Sequence, residues 1–225
     1  AESLLAAPES RAAHVRELFA ASRAAARALH EARGSGPAVA ALLSRVADHA
    51  VSALFRTLLR QEGIPSRGAA LFALGGFGRS ELSPFSDLDM LLLYDERLRP
   101  ERIAQGLLYP LWDAGVEVQC VARTVAENIH ASREDSRSRS NLLDARFLAG
   151  DRELARAFDR NVLEKEIYGR GIRKFFRTKL DEMAERYERY GDTVYLVEPN
   201  LMEGQGGLRD AHTAIWLAKL STGAR

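Results

Sequence analysis

Apolar residues fall at helical spacing from Arg11 to Arg33, where Val15, Leu18, Phe19, Ala26 and Leu29 share a face until Gly34 to Pro37 ends the period. A second stripe, Leu43, Val46, Ala50, Leu54 and Leu58, predicts a helix that stops near Gly63 and Pro65. The period then changes. "AALFAL" and "DMLLLY", ending at Leu74 and Tyr94, are unbroken apolar runs of strand length. Glu101 to Ala114 reads as a helix closed by Gly115, and "VEVQCVAR" from Val116 to Arg123 reads as a third strand. From Thr124 onward the pattern is mainly helical, over Val125 to Ser132, Leu142 to Leu163 and Ile172 to Tyr190, with Gly150 and Gly169 to Gly171 as breaks and a glycine-rich loop feeding one last helix. This order predicts an α+β fold with a small mixed sheet: N-terminal helices over 1–63, a core over 64–140 and a helical domain over 141–225.

Composition narrows the class. Hydrophobic residues are 46% and charged residues 28% of the 225, enough apolar surface to build a core and too much for a disordered chain. A formal net charge of +1 gives no field to attract nucleic acid or a membrane surface. The one cysteine, Cys120, rules out an internal disulfide and suits a reducing compartment. No leader pattern opens the sequence, and no apolar run approaches the about 18 to 20 residues of a membrane span, so a cytoplasmic location is expected.

Chemistry concentrates between Leu74 and Tyr94, "LGGFGRSELSPFSDLDMLLLY". In an extended strand Asp87 and Asp89 project to one face while Leu88 and Met90 take the other. Two carboxylates held that close repel unless a proton or a cation intervenes, and an all-oxygen donor set selects a hard divalent ion such as magnesium or manganese. Upstream, Gly75, Gly76 and Gly78 let backbone amides approach a ligand closely, "RSEL" offers a helix start for a phosphate, and Arg79 adds charge. Phosphoryl and nucleotidyl transfer need these parts. Glu117, an acid between valines in the next predicted strand, is the candidate third carboxylate, with Asp113 at a helix end as its rival.

Each part also has a plainer explanation. "GGFG" alone is a tight turn, and "SDLD" alone is a helix cap. The glycines fit neither a dinucleotide fingerprint, which needs glycine where Glu81 stands, nor a P-loop. The five histidines form no ligand spacing, and His212 reads as a helix-surface residue. "SREDSRSRSN", with Arg133, Arg137 and Arg139, reads as a solvated loop, with a triphosphate or partner contact as the alternative; Trp112 and Trp216 read as packing residues.

"GGFGRSELSPFSDLDMLLLY" resembles the nucleotidyltransferase signature of the DNA polymerase beta superfamily. In detail it resembles the N-terminal domain of the bifunctional PII uridylyltransferase/uridylyl-removing enzymes. "LWDAGVEVQCVART", "LLDARFLAGDREL" and "RYGDTVYLVEPNLMEGQGGLRDAHTAIWLAK" continue the likeness, from about residue 70 to about residue 220. The resemblance implies the nucleotidyltransferase fold and transfer of UMP from UTP to a tyrosine hydroxyl of the nitrogen-signalling PII protein, with release of pyrophosphate. It implies that Asp87, Asp89 and Glu117 hold magnesium or manganese, and that Gly75, Gly76, Gly78, Arg79 and Ser86 engage the nucleotide.

The chain departs from the family at Gln119, Cys120 and Val121, where Gly-His-Ser is common, and at Leu196, Val197, Met202 and Gln205. The family's HD phosphohydrolase and glutamine-sensing ACT domains do not fit in 225 residues, so a transferase fragment or stand-alone domain is expected, with glutamine acting only through domains absent here. The alternatives are a CBS-type signalling nucleotidyltransferase of unknown acceptor and a catalytically silent regulatory module with the same fold.

Overall fold

A computed structural model describes residues 8–64, 67–190, 198 and 200–223. Two long helices, α1 (Pro8–Arg33) and α2 (Gly36–Gln61), open the chain; Ser35 caps the second by accepting the Ala38 amide, with Pro37 in its first turn. Next come strand β1 (Ala69–Ala73), the single turn α3 (Gly75–Gly78), strand β2 (Leu88–Tyr94), helix α4 (Pro100–Asp113) and strand β3 (Val118–Arg123). Helices α5 (Val125–Glu134) and α6 (Ser136–Leu143), strand β4 (Arg146–Gly150) and helix α7 (Arg152–Phe158) follow. A π-helical segment (Asp159–Ile167) and helices α8 (Ile172–Arg189) and α9 (Leu208–Thr222) complete the described chain.

The strands lie in the order β3-β2-β1-β4, with β1 antiparallel to both β2 and β4 and β2 parallel to β3. The sheet is mixed, as expected, but has a fourth strand. The pattern over Leu142 to Leu163 predicts helix broken at Gly150; the break is there, at φ 103, but Arg146–Gly150 ahead of it is extended because β1 supplies a ladder for it.

Contacts gather the chain into two units, 1–128 with 144–159, and 129–143 with 160–225. In the first unit the N-terminal helices and the sheet share a core. Leu71, Leu88, Met90 and Leu92 on one sheet face pack with Leu54, Phe55 and Leu58 of α2 and Ile103, Leu107 and Leu111 of α4. Burying each such side chain contributes about 1.5–3 kcal/mol. On the other face Phe72 meets Phe147 edge-on and Phe158 at 4.8 Å. Among the described residues α2 alone is long and apolar enough to cross a membrane, where the sequence pattern predicts no such helix; 56% of its most apolar stretch is buried inside this core.

The second unit is helical, and the expected solvated loop over Ser132 to Asn141 is not a loop. Arg139 is buried, and its guanidinium donates to the carbonyls of Glu166, Ile167 and Arg170, satisfying the end of the π-helical segment. Trp216 is buried as expected, with the Lys179 ammonium over its ring. Trp112, in the first unit, is half exposed, because it sits on the open side of α4 with its indole N–H donating to the Val118 carbonyl.

Candidate active site

The site grows from the end of β1. The Leu74 amide donates to the Asp89 carbonyl at 2.8 Å, and Gly75, at φ 52, then turns the chain sharply into α3. A Cβ on Gly75 would stand 2.9 Å from Asp89 Oδ2, so the bare backbone lies directly against that carboxylate. A Cβ on Gly78 would meet the Asp144 carbonyl oxygen at 2.0 Å, which no rotamer relieves, whereas Gly76 has room. Two of the three glycines are therefore demanded by close approach. The helical turn falls on "GGFG" itself and not on "RSEL": Ser80 adopts φ 61, and the Arg79, Ser80 and Glu81 amides close back onto Gly75, Phe77 and Gly76.

Asp87 immediately precedes β2 and Asp89 is its second residue; both are partly buried on the face opposite Leu88 and Met90. Burial first, and the neighbouring Asp87 charge second, push the Asp89 carboxyl up to about 6. Gln119, the register partner of Asp89 on β3, places its amide nitrogen 3.4 Å from Asp87 Oδ2.

Glu117 stands outside the strand expected to carry it. Gly115 at φ 77 and the bonds from Gly115 to Trp112 and from Val116 to Leu111 form a helix-terminating motif, so Val116 belongs to the end of α4 and pairing starts at Val118. Glu117 is the exposed joint; its carbonyl accepts the Leu88 amide, and it lines one recess with Asp87, Trp112 and Gln119. Among the described residues no three His, Cys, Asp or Glu side chains are gathered closely enough to hold a metal ion, so this recess joins Glu117 to Asp87 without making a three-acid cluster.

Arg79 and Ser86 are occupied locally. Arg79 pairs with Asp144 and with Glu81, each at 2.6 Å, and Ser86 accepts the Ser83 amide at 2.9 Å to hold the loop before β2. Asp144 and Gln119 carry no local sequence signal for these roles. Asp144 stands just before β4, and its carbonyl lies alongside Gly78. Leu196 and Val197, two of the departures noted in the sequence, lie outside the described residues.

Comparison with known proteins decides the family. Residues 20–132 match the family described as "Putative nucleotidyltransferase DUF294". The chain belongs to this nucleotidyltransferase family. Residues 174–225 match the GlnD PII-uridylyltransferase family, so the two matches fall on either side of β4. Relatives of this nucleotidyltransferase chain carry the name bifunctional uridylyltransferase/uridylyl-removing enzyme, in line with the resemblance seen in the sequence. That of Phenylobacterium zucineum is 41% identical over 82% of this chain and 20% of its own length. That of Nitrobacter hamburgensis is 43% identical over 69% of the chain and 17% of its own length, and that of Gluconobacter oxydans 37% over 92% and 22%. The chain thus spans about a fifth of these relatives.

Proposed function

We propose that this chain transfers UMP from UTP to a tyrosine hydroxyl of a PII-type signalling protein, using a divalent cation held by Asp87 and Asp89. The observation that carries the reading is the pair of acids at the start of β2, with Asp89 against the bare backbone of Gly75 and its carboxyl pushed up by burial and by the neighbouring Asp87 charge. Such a donor set fits magnesium or manganese: oxygen only, doubly negative, and partly withdrawn from water. Glu117, across the recess from Asp87, is the third carboxylate of the proposal.

When bound, the cation supplies charge neutralisation at the triphosphate. The chain's own contribution is binding and orientation. The glycine backbone of α3, which follows β1 directly, is the part offered to the phosphates, because without side chains it lets a ligand approach closely. The tyrosine oxygen then attacks the α-phosphorus, the bond to the bridging oxygen breaks, pyrophosphate leaves, and the hydroxyl proton passes to solvent. Because the reaction draws on UTP, we place the chain in the cytoplasm.

The test is incubation of the chain with magnesium, labelled UTP and a PII-type protein. Label on an acceptor tyrosine, lost when the metal is chelated, is expected. No label from UTP or ATP at any glutamine level overturns the reading. That no three His, Cys, Asp or Glu side chains gather to hold a metal ion among the described residues favours a second one, a module that binds its partner without turnover, and that reading wins if the chain captures the PII-type protein but never consumes nucleotide.

A further inference from the structure

A four-residue turn that is three-quarters glycine has no stability of its own: nucleation fixes several dihedrals for one hydrogen bond, and glycine loses more freedom than any other residue. Something outside α3 must hold it. At its leading end the turn abuts Asp89. At its trailing end stands Arg146, the first residue of β4, whose Nε donates to the Gly78 carbonyl at 3.0 Å and whose Nη2 donates to the Phe77 carbonyl at 3.0 Å. The same guanidinium grips Asp48 of α2 with both terminal nitrogens, at 2.8 and 2.9 Å, and lies over the Phe77 ring.

The arrangement uses what is particular to arginine. A planar fork bonds the carboxylate on one side while its remaining donor directions reach two carbonyls on the other. The positive charge also meets the carbonyl end of the turn, where partial negative charge collects. Asp48 fixes the guanidinium from a core helix, so the turn is referenced to α2 as well as to the sheet.

We propose that Arg146, held by Asp48, is a positioning residue for nucleotide binding: it fixes the carbonyl end of the glycine turn so that the Gly75 backbone and the Asp89 carboxylate against it keep one geometry for magnesium-UTP. The proposal rests on the nucleotidyl-transfer reading above. Arg146 itself contacts no reacting atom.

Arg146→Ala, Arg146→Lys and Asp48→Asn test it through two measurements. The first is amide exchange: the Gly78, Arg79 and Ser80 amides, bonded to Leu74, Gly75 and Phe77, should exchange about tenfold faster in Arg146→Ala, while those of Leu71 and Leu92 keep their rates. The second is affinity for magnesium-UTP together with the kinetic constants of transfer. Arg146→Ala should raise the nucleotide Kd and KM about tenfold and leave the KM for the acceptor protein unchanged. Arg146→Lys, with charge but no fork, should recover part of that loss, and Asp48→Asn should show a weaker form of it.

Unchanged exchange in the turn overturns the clamp. Faster exchange with unchanged nucleotide affinity overturns the positioning role and leaves Arg146 purely structural. If the unaltered chain binds magnesium-UTP but transfers nothing, the transfer reading fails while the affinity comparison still decides this one; if it binds no nucleotide, both fall. Should Arg146→Ala not fold, Arg146→Lys and Asp48→Asn decide the question by the same comparison.

Discussion

Two carboxylates, one in each unit, are treated in opposite ways. Glu166, in the helical unit, is buried and receives both a 2.8 Å and a 2.6 Å bond from Arg133, which hold its carboxyl below the usual glutamate range. Asp89, in the sheet unit, is partly buried and receives another negative charge instead, which together with burial holds it above the usual aspartate range. A carboxylate given its cation stabilises the fold. One left beside a like charge costs stability and persists where a ligand is to supply what is missing, and strongly perturbed groups of this kind cluster at functional sites.

The sharpest way to break this contrast is Asp87→Asn with Asp89→Asn. Transfer should fall by at least about 100-fold, the scale of losing a charge-stabilising group at a reacting centre, while metal-free thermal stability is kept or improved. A double variant that still labels the acceptor at the normal rate removes the acids from the chemistry. Next is Gly75→Ala. A left-handed alanine costs about 1–2 kcal/mol, and its methyl would press on Asp89 Oδ2, so transfer should drop about tenfold or more alongside a lower melting temperature. Unchanged kinetics would show that the approach of Gly75 to Asp89 is packing alone.

The Asp89 half of this contrast was legible in the sequence and the Glu166 half was not, for a physical reason. Asp87, Asp89 and the glycines announce themselves locally: the apolar run that follows fixes β2, strand alternation puts both acids on one face, and glycine is needed where backbone crowds backbone. Glu166 meets Arg133 across 33 positions, and Arg79 meets Asp144 across 65, so no short window contains either pair. The arginines of Ser132 to Asn141 read as solvated because charge in a short segment usually is; three carbonyl acceptors, supplied by a later segment, reverse this for Arg139. Strand β4 was hidden in the same way. Phe147 and Leu148 fit a helical stripe with Leu142 and Leu143 well enough that only the ladder with β1 decides the matter. Glu117 was misplaced by two residues of helix termination, a boundary that hydrophobic pattern does not resolve.

Arg133→Ala tests the opposite half. Glu166 would keep its burial and lose its strongest partner, so the melting temperature should fall by about 3–6 °C at pH 7. The loss should shrink in acid: the depressed carboxyl of Glu166 contributes stability above its unfolded pKa, and this disappears as pH falls through the folded value. Equal melting of the two proteins at pH 7 would reduce the pair to an ornament of the surface.

The smallest effect separates the two carboxylates by sign. Asp89 has a folded pKa of about 6, raised from an ordinary 3.8, so between about pH 4 and pH 6 the folded chain holds more protons than the unfolded one. Stability from this group is fully present below pH 4 and is lost as pH rises through 6, the reverse of Glu166. Comparing the unaltered chain with Asp89→Asn in chelator isolates it. The two should melt together near pH 4, and above pH 6 the unaltered chain should melt lower, by about 1 kcal/mol after allowing for solvent at this partly exposed carboxylate, or about 3 °C. Adding magnesium at pH 7.5 should close the gap, because an ion between Asp87 and Asp89 removes the repulsion that opened it. A gap that ignores magnesium, or one that widens toward acid pH, would mean that these two acids are not waiting for a cation.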